Sequence, residues 1–384
     1  MNKIDWKTMR EKKAFLALED GTIMRGYSVG APVDGLGEVV FNTGMTGYQE
    51  IITDPSYSGQ FVTMTYPEIG NTGINPEDIE SSKAQLSGFI MHSPNVTSNW
   101  RASEDLRQYL EANNIPAIAG IDTRALTSRL RDKGTLKGFL SVSEKVSEDE
   151  ALKKCCEWCG LDGQDYAAKV SCKEQYKWDV DNKMTTTWGM PKELIPADLK
   201  VVVYDFGIKY NILRNLRISG MDVTVVPCKT SAADVAAMNP DGVFFSNGPA
   251  DPAAVTYGID AARELLGKFP IMGICLGHQI LGIATGAKTG RLKFGHHGCN
   301  HPVKDLRTGL IDITSQNHNF CVMDDSIDTS KIEITHINLN DNSVEGIRHL
   351  TEPMFSVQYH PEAAPGPHDP APLFTDFADL IKMS

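Results

Sequence analysis

The chain has 384 residues, more than one hydrophobic core usually organises, so two domains of moderate size are expected. A formal net charge of −12 argues against a general binder of nucleic acid or anionic membrane, because the summed field repels both. Composition near globular averages argues against disorder, and the charged N-terminal stretch and lack of a membrane-length apolar run point to the cytoplasm as the expected compartment.

Residues 11–145 set short β-prone runs, such as 38–41 and 60–66, between turn signals that include Gly26, Gly30, Gly35, Gly37, Pro55 and Pro67. This predicts a mainly β domain with some helices. Two are expected: 103–113 with a serine cap, and Thr123–Lys133, stopped by Gly134. Residues 146–197 are acidic, lysine-rich and broken by Gly160, Gly163, Gly189, Pro191 and Pro196, with a helical patch at 147–159. They read as a linker closing a first domain of 1–197. From 198 to 384 the pattern changes. The runs LKVVVYDFG, MDVTVVP, DGVFFSNGP and FPIMGICLG are separated by helical stretches near 211–219, from Ala232, and over 259–266. Continuous apolar strands alternating with helices predict an α/β fold with a parallel sheet buried on both faces. Ligands of such sheets bind beyond the carboxyl ends of the strands, which makes the residues just after each run the ones that matter.

The sharpest local pattern is Gly273, Ile274, Cys275, Leu276, Gly277, between a strand-like run and the helical HQILGIATG. Small residues flanking a nucleophile let the backbone double back in a strained strand-to-helix elbow. There a thiolate gains from the helix N-terminus, and the following amide is available to an oxyanion. Taken alone, Cys275 reads equally well as a buried small residue in a tight turn. A second strand-like run, 355–359, delivers His360, Pro361 and Glu362. Residues two apart in extended chain project to one side, so Glu362 is placed to orient His360, and His360 to exchange a proton with Cys275. The loop SNGPADP after VFF is placed to supply a second oxyanion donor from its backbone. Histidine is uneven in the same sense: His92 stands alone in the first half, and the rest follow Gly277.

Eight cysteines in a reducing compartment are thiols to be read as buried filler, metal ligands or nucleophiles. Cys155, Cys156, Cys159 and Cys172 crowd one region. A zinc site there would need a second ligand pair, which the sequence does not offer, so helix and loop positions are expected and no metal is assigned.

Together, GICLGHQ, SNGPAD and HPEA resemble the class I glutamine amidotransferases. Within that class, GEVVFNTGMTGYQEIITDPSYSGQ, YPEIGNTGIN, AGIDTRALTSRLRDKG, KFGHHGCNHPVKD, SQNHNF and HPEAAPGPHD are most similar to the carbamoyl phosphate synthetase small-subunit family. The resemblance spans nearly the whole chain except about 146–190. It implies a small-subunit N-terminal domain followed by a flavodoxin-like amidotransferase domain. By the same resemblance, Cys275 attacks the side-chain amide of glutamine and forms a thioester, with His360 as general base and acid and Glu362 as its orienter. Glutamine is implied to lie at Gly44, Gly248, Ala250, Leu276, Gln279, Asn317, Asn319 and Phe320, with His278 and His318 in supporting positions. Ammonia is implied to pass to a large subunit, which uses ATP, Mg and bicarbonate to make carbamoyl phosphate for arginine and pyrimidine synthesis. No cofactor is implied for this chain, and no GxxxxGK[ST] phosphate loop is present. Four positions depart from the family pattern: Gly44 stands where some relatives have Ser, and Ala250, Asn319 and Cys299 stand where Gly is usual. Backbone contacts survive such changes, whereas a contact through a serine hydroxyl does not.

Three other functions compete. An amidotransferase subunit serving anthranilate or GMP synthesis would share the elbow but lack FNTGMTGYQE. A cysteine hydrolase acting alone would need no partner. A scaffold with a dead glutaminase would have lost Cys275, which is intact here.

Overall fold

In the computed structural model, which describes residues 6–143, 145–249 and 251–384, the chain divides into two units. One comprises the residues up to Asp162 together with Lys293–His297, the other Gly163–Leu292 and Gly298–Ser384.

The first unit is built on a closed seven-stranded barrel. Its order is Lys13–Leu18, Ile23–Ser28, Ala117–Ala119, Gly88–Ile90, Gln60–Met64, Gly35–Asn42 and Leu136–Ser141, the last pairing back to the first. Successive strand residues face opposite ways. Val39, Phe61, Ile90 and Ile118 therefore join one core, while Val40, Val62, Phe89 and Ala117 join another beneath the helix Tyr48–Thr53. The helix Thr123–Lys133 is capped by Asp122, whose Oδ1 accepts from the Ala125 N–H at 2.9 Å, and ends at Gly134 with φ 100°. The helix expected at 103–113 is the shorter Leu106–Ala112. Asp105 caps it, accepting from the Arg107 N–H at 3.0 Å, whereas Ser103 donates through Oγ to the Ile74 carbonyl at 3.1 Å. Two N-cap residue types in one stretch compete, and the serine is used in a tertiary bond instead.

The stretch read as a linker is divided between the units. The helix Glu148–Glu157, capped by Ser147, packs Ala151 and Cys155 against Ala17 and Phe139 of the barrel. Beyond Asp162, Tyr176–Lys177 pairs antiparallel with Met221–Pro227, and Trp178 is buried against the Tyr210 ring at 5.0 Å. Apolar burial at Cys155 and Trp178, which the polar composition of the stretch concealed, sets this division.

The second unit carries a ten-stranded sheet. Its parallel part runs Met221–Pro227, Leu199–Asp205, Gly242–Phe245, Ile271–Ile274, Met354–Val357, which in chain order is the 2-1-3-4-5 arrangement of flavodoxin-like folds. Both faces are covered, as the unbroken apolar runs require. Val202, Tyr204, Val243 and Phe245 pack with Ile259 and Leu265 of the helix Thr256–Leu265 and with Ile280 of Leu276–Ala284. Val201, Val203 and Phe244 pack on the other side with Leu213 of Tyr210–Ile218 and with Phe374 and Phe377 of Leu373–Met383. The sheet continues antiparallel through Val344–His349, Ile332–Asn338 and the 303–305 end of Thr289–Asp305, with Ile311–Val322 next in order, an extension the sequence pattern did not announce. Among the described residues no helix is long and apolar enough to cross a membrane.

Phe377 is fully buried, its ring 6.1 Å from Phe244 and 6.4 Å from Phe355. Phe377→Ala is expected to lower the unfolding free energy by about 3–5 kcal/mol in urea denaturation followed by circular dichroism. A loss below about 1 kcal/mol would mean that the C-terminal helix is not anchored through this ring.

Candidate active site

The strand Ile271–Ile274 ends directly at Cys275, and the helix Leu276–Ala284 begins directly after it, so one residue must reverse the chain. Cys275 does so at φ 54°, ψ −104°, a conformation L-residues rarely adopt. Hydrogen bonds hold it on both sides. The Cys275 N–H donates to the Val357 carbonyl at 2.9 Å, and the Gly277 N–H to the Ser246 carbonyl at 3.0 Å. A Cβ at Gly277 would collide with the Phe245 carbonyl oxygen, which is why glycine is needed there. Cys275 is 2% exposed, and its thiol donates to the Asn317 carbonyl at 3.6 Å. Leu276 opens the helix, so its N–H has no acceptor within it.

His360 follows the strand Met354–Val357, and its N–H donates to the Ser315 carbonyl at 2.9 Å. Its Nδ1 lies 2.6 Å from Glu362 Oε1, while its Nε2 is buried without a hydrogen-bond partner among the described residues. Glu362 Oε1 also receives the Lys209 ammonium at 3.0 Å. Burial is the largest influence on the His360 ring and opposes its charge, but the Glu362 carboxylate and the Cys275 sulphur outweigh it and raise the pKa to about 10. Burial likewise opposes charge on Glu362, and Lys209 with His360 outweighs it, lowering that pKa to about 2. The result is a buried series of alternating charge, ammonium, carboxylate, imidazolium, ending at a sulphur.

The other expected site residues are placed as follows. Gly248 sits against Leu276: a Cβ there would meet the Phe206 carbonyl oxygen and come within 2.8 Å of Leu276 Cδ2. Gln279 donates through Nε2 to the Phe320 carbonyl at 2.7 Å and to Gln358 Oε1 at 2.9 Å, which leaves its Oε1 as its remaining polar atom. Asn317, Asn319 and Phe320 lie on Ile311–Val322, with Asn317 beside the thiol and the Phe320 ring under the Arg291 guanidinium at 5.5 Å. His278 is fully buried with Nδ1 2.9 Å from Ser356 Oγ, and burial drives its pKa down to about 3, so it is neutral. His318 spans the Phe320 carbonyl (2.7 Å) and Gln316 Oε1 (2.9 Å). Gly44 belongs to the first unit, where its N–H donates to Asn42 Oδ1 at 2.7 Å. Ala250 lies outside the described residues. Cys299 places Sγ 3.4 Å from the Pro365 carbonyl oxygen. Of the crowded cysteines, Cys155 donates to the Ala17 carbonyl at 3.3 Å and Cys156 is exposed.

Sequence reasoning missed Lys209 and Asn211. Lys209 is 2% exposed, donates to the Ala363 carbonyl at 2.6 Å and meets Glu362; Asn211 donates through Nδ2 to the Glu362 carbonyl. The available signal was position: IKYN lies just beyond the carboxyl end of Leu199–Asp205, where ligand-binding groups of such sheets collect.

Residues 202–380 match the family described as glutamine amidotransferase class-I, and residues 16–140 the family described as carbamoyl-phosphate synthase small chain, CPSase domain. The carbamoyl phosphate synthase small chain of Syntrophotalea carbinolica is 53% identical over 97% of this chain and 98% of its own. That of Akkermansia muciniphila is 54% identical over the same shares. The chloroplastic small chain of Oryza sativa is 49% identical over 96% of this chain and 82% of its own. With both domain types matched in order and relatives above half identity along nearly the full length, this chain belongs to the carbamoyl phosphate synthase small-chain family, with a class-I glutamine amidotransferase domain.

Proposed function

We propose that this chain is the glutaminase subunit of a carbamoyl phosphate synthase, hydrolysing L-glutamine at Cys275 and passing the ammonia to a large subunit. The observation that carries the reading is a thiol on a left-handed elbow within the influence of a buried imidazole whose Nε2 has no other partner.

Glutamine lies against Gln279, Asn317, Asn319 and Phe320. The Cys275 thiolate attacks the side-chain amide carbon, and the oxygen takes up charge opposite the Leu276 and Gly248 amides. His360 Nε2–H donates its proton to the nitrogen as the carbon–nitrogen bond breaks, so ammonia leaves and a thioester remains. Water then attacks the thioester while His360 takes its proton, and glutamate departs with the thiolate restored. Glu362 keeps Nε2 directed at the sulphur and stabilises the imidazolium, and Lys209 holds the carboxylate ionised. The large subunit, working with ATP, Mg and bicarbonate in a cytoplasmic heterodimer, consumes the ammonia in making carbamoyl phosphate for arginine and pyrimidine synthesis.

Glutamate release by the purified chain should rise strongly on adding a carbamoyl phosphate synthase large subunit, ATP and bicarbonate. Cys275→Ala should remove at least about 10³-fold of it, and Cys156→Ser, at an exposed thiol, should remove none. Hydrolysis that ignores the large subunit would replace this reading with a stand-alone cysteine hydrolase.

The pH profile tests the charge series. His360 is held charged to about pH 10, so its folded-state stabilisation is complete below its ordinary pKa near 6.5 and is lost as pH rises through about 10. Glu362→Gln removes the larger of the two influences that oppose burial, which moves the ring's pKa down toward its ordinary value. The alkaline limb of the activity profile should then shift by several pH units toward acid, with activity at pH 7 down about 10²-fold or more. An unmoved limb would show that the limb does not report His360.

A further inference from the structure

A cavity of about 490 Å³ lies where the C-terminal helix Leu373–Met383 meets the beginning of the strand Met354–Val357. Its size suits a small organic ligand. None of Cys275, His360, Glu362 and Lys209 lines it.

Its polar groups have unused capacity. His336 is 6% exposed, with Nδ1 2.9 Å from Thr335 Oγ1, and its Nε2 has no partner among the described residues. Burial pushes the His336 pKa down to about 4, so near neutral pH the ring offers a neutral hydrogen-bonding edge. Arg307 commits Nε and Nη2 to Asp305, at 3.2 and 3.1 Å, and its Nη1 has no partner among the described residues. Arg348 commits Nε to Glu333, and its two terminal nitrogens have no partner among the described residues. Across from them stands Asp376 on the helix. It feels the Arg307 charge, yet no ion pair forms between them among the described residues. Opposite charges are thus held apart across a space, with Phe355, Leu373 and Leu380 forming an apolar side.

This combination discriminates between ligand classes. A simple anion would gain from the two arginines but face Asp376, Asp379 and Glu352, and a simple cation would face the arginines. A molecule carrying both charges a few ångströms apart meets neither penalty, and an apolar body buries surface against the helix. We propose that the cavity binds a small zwitterion with an apolar side chain, an α-amino acid of the leucine or phenylalanine type. Its carboxylate lies on Arg307, Arg348 and His336, its ammonium on Asp376, and its side chain on Phe355, Leu373 and Leu380.

Titration calorimetry of the full chain tests this with L-leucine, with 4-methylpentanoate, which lacks the ammonium, and with 3-methylbutylamine, which lacks the carboxylate. L-leucine or L-phenylalanine should bind saturably below about 10 mM, with each truncated leucine probe at least about tenfold weaker than L-leucine. Asp376→Asn and Arg348→Gln should each weaken L-leucine about tenfold. Melting temperature and glutamate release should stay at wild-type values in both variants. Absence of saturation by both amino acids up to about 10 mM, equal binding of the three leucine probes, or undiminished L-leucine binding in both variants would overturn the assignment.

Discussion

The second unit depends on one residue holding a conformation that its side chain disfavours. Cys275 at φ 54°, ψ −104° costs on the order of 1–3 kcal/mol, and only surroundings that determine the backbone from several directions can hold it. Here they do so through two neighbouring strands. The Cys275 N–H is fixed by Val357, the residue that ends one, and the Gly277 N–H by Ser246, which follows the other. The elbow therefore cannot form until the central parallel strands have assembled in register, and once they have, the thiol has one place to be. The same tightness forces glycine at 277, because the chain passes directly over the Phe245 carbonyl.

A second constraint follows from burial. His360, Glu362 and Lys209 are each almost inaccessible to water, and an isolated charge at any of the three positions would be prohibitive. Alternation resolves this. Glu362 presents Oε1 to two cations, 2.6 Å from His360 Nδ1 and 3.0 Å from Lys209 Nζ, so their charge replaces part of the solvation it has lost. The arrangement is directional as well as neutralising. Nδ1 is occupied by the carboxylate, which leaves Nε2 as the only ring nitrogen able to exchange a proton with a neighbouring group.

What could be read from the sequence was what lies close along it. The elbow is five consecutive residues, and His360 and Glu362 are two apart on extended chain, so spacing alone conveys their geometry. The parallel strands were equally plain, because burial on both faces leaves no polar alternation to confuse them. Lys209 was not legible: its partner lies over 150 residues on, and nothing local distinguishes a lysine that is 2% exposed from a solvated one. The antiparallel extension was hidden for a related reason. Its strands Ile332–Asn338 and Ile311–Val322 carry buried polar residues, among them Asn338 and Gln316, which both donate to Glu345 on another strand. Ser103 and Asp105 show the same limit at a helix start: either could cap, and a carbonyl at Ile74 takes the serine.

The strand Met354–Val357 links these themes. It is only four residues long, about 13 Å, and is hydrogen-bonded on both sides, parallel to Ile271–Ile274 and antiparallel to Val344–His349. Its carboxyl end fixes the Cys275 backbone and delivers His360, while its beginning borders the cavity that His336 lines. Tyr359 connects the two ends: it immediately precedes His360, is fully buried, and meets the His336 ring edge-on at 5.7 Å. A strand held on both edges and packed on both faces cannot slide or tilt without disturbing its neighbours, so it serves as a fixed rail rather than a lever. The side chains at its ends have more freedom than its backbone, and the imidazole position is set by rigid geometry at the rail and tuned by charge at its tip.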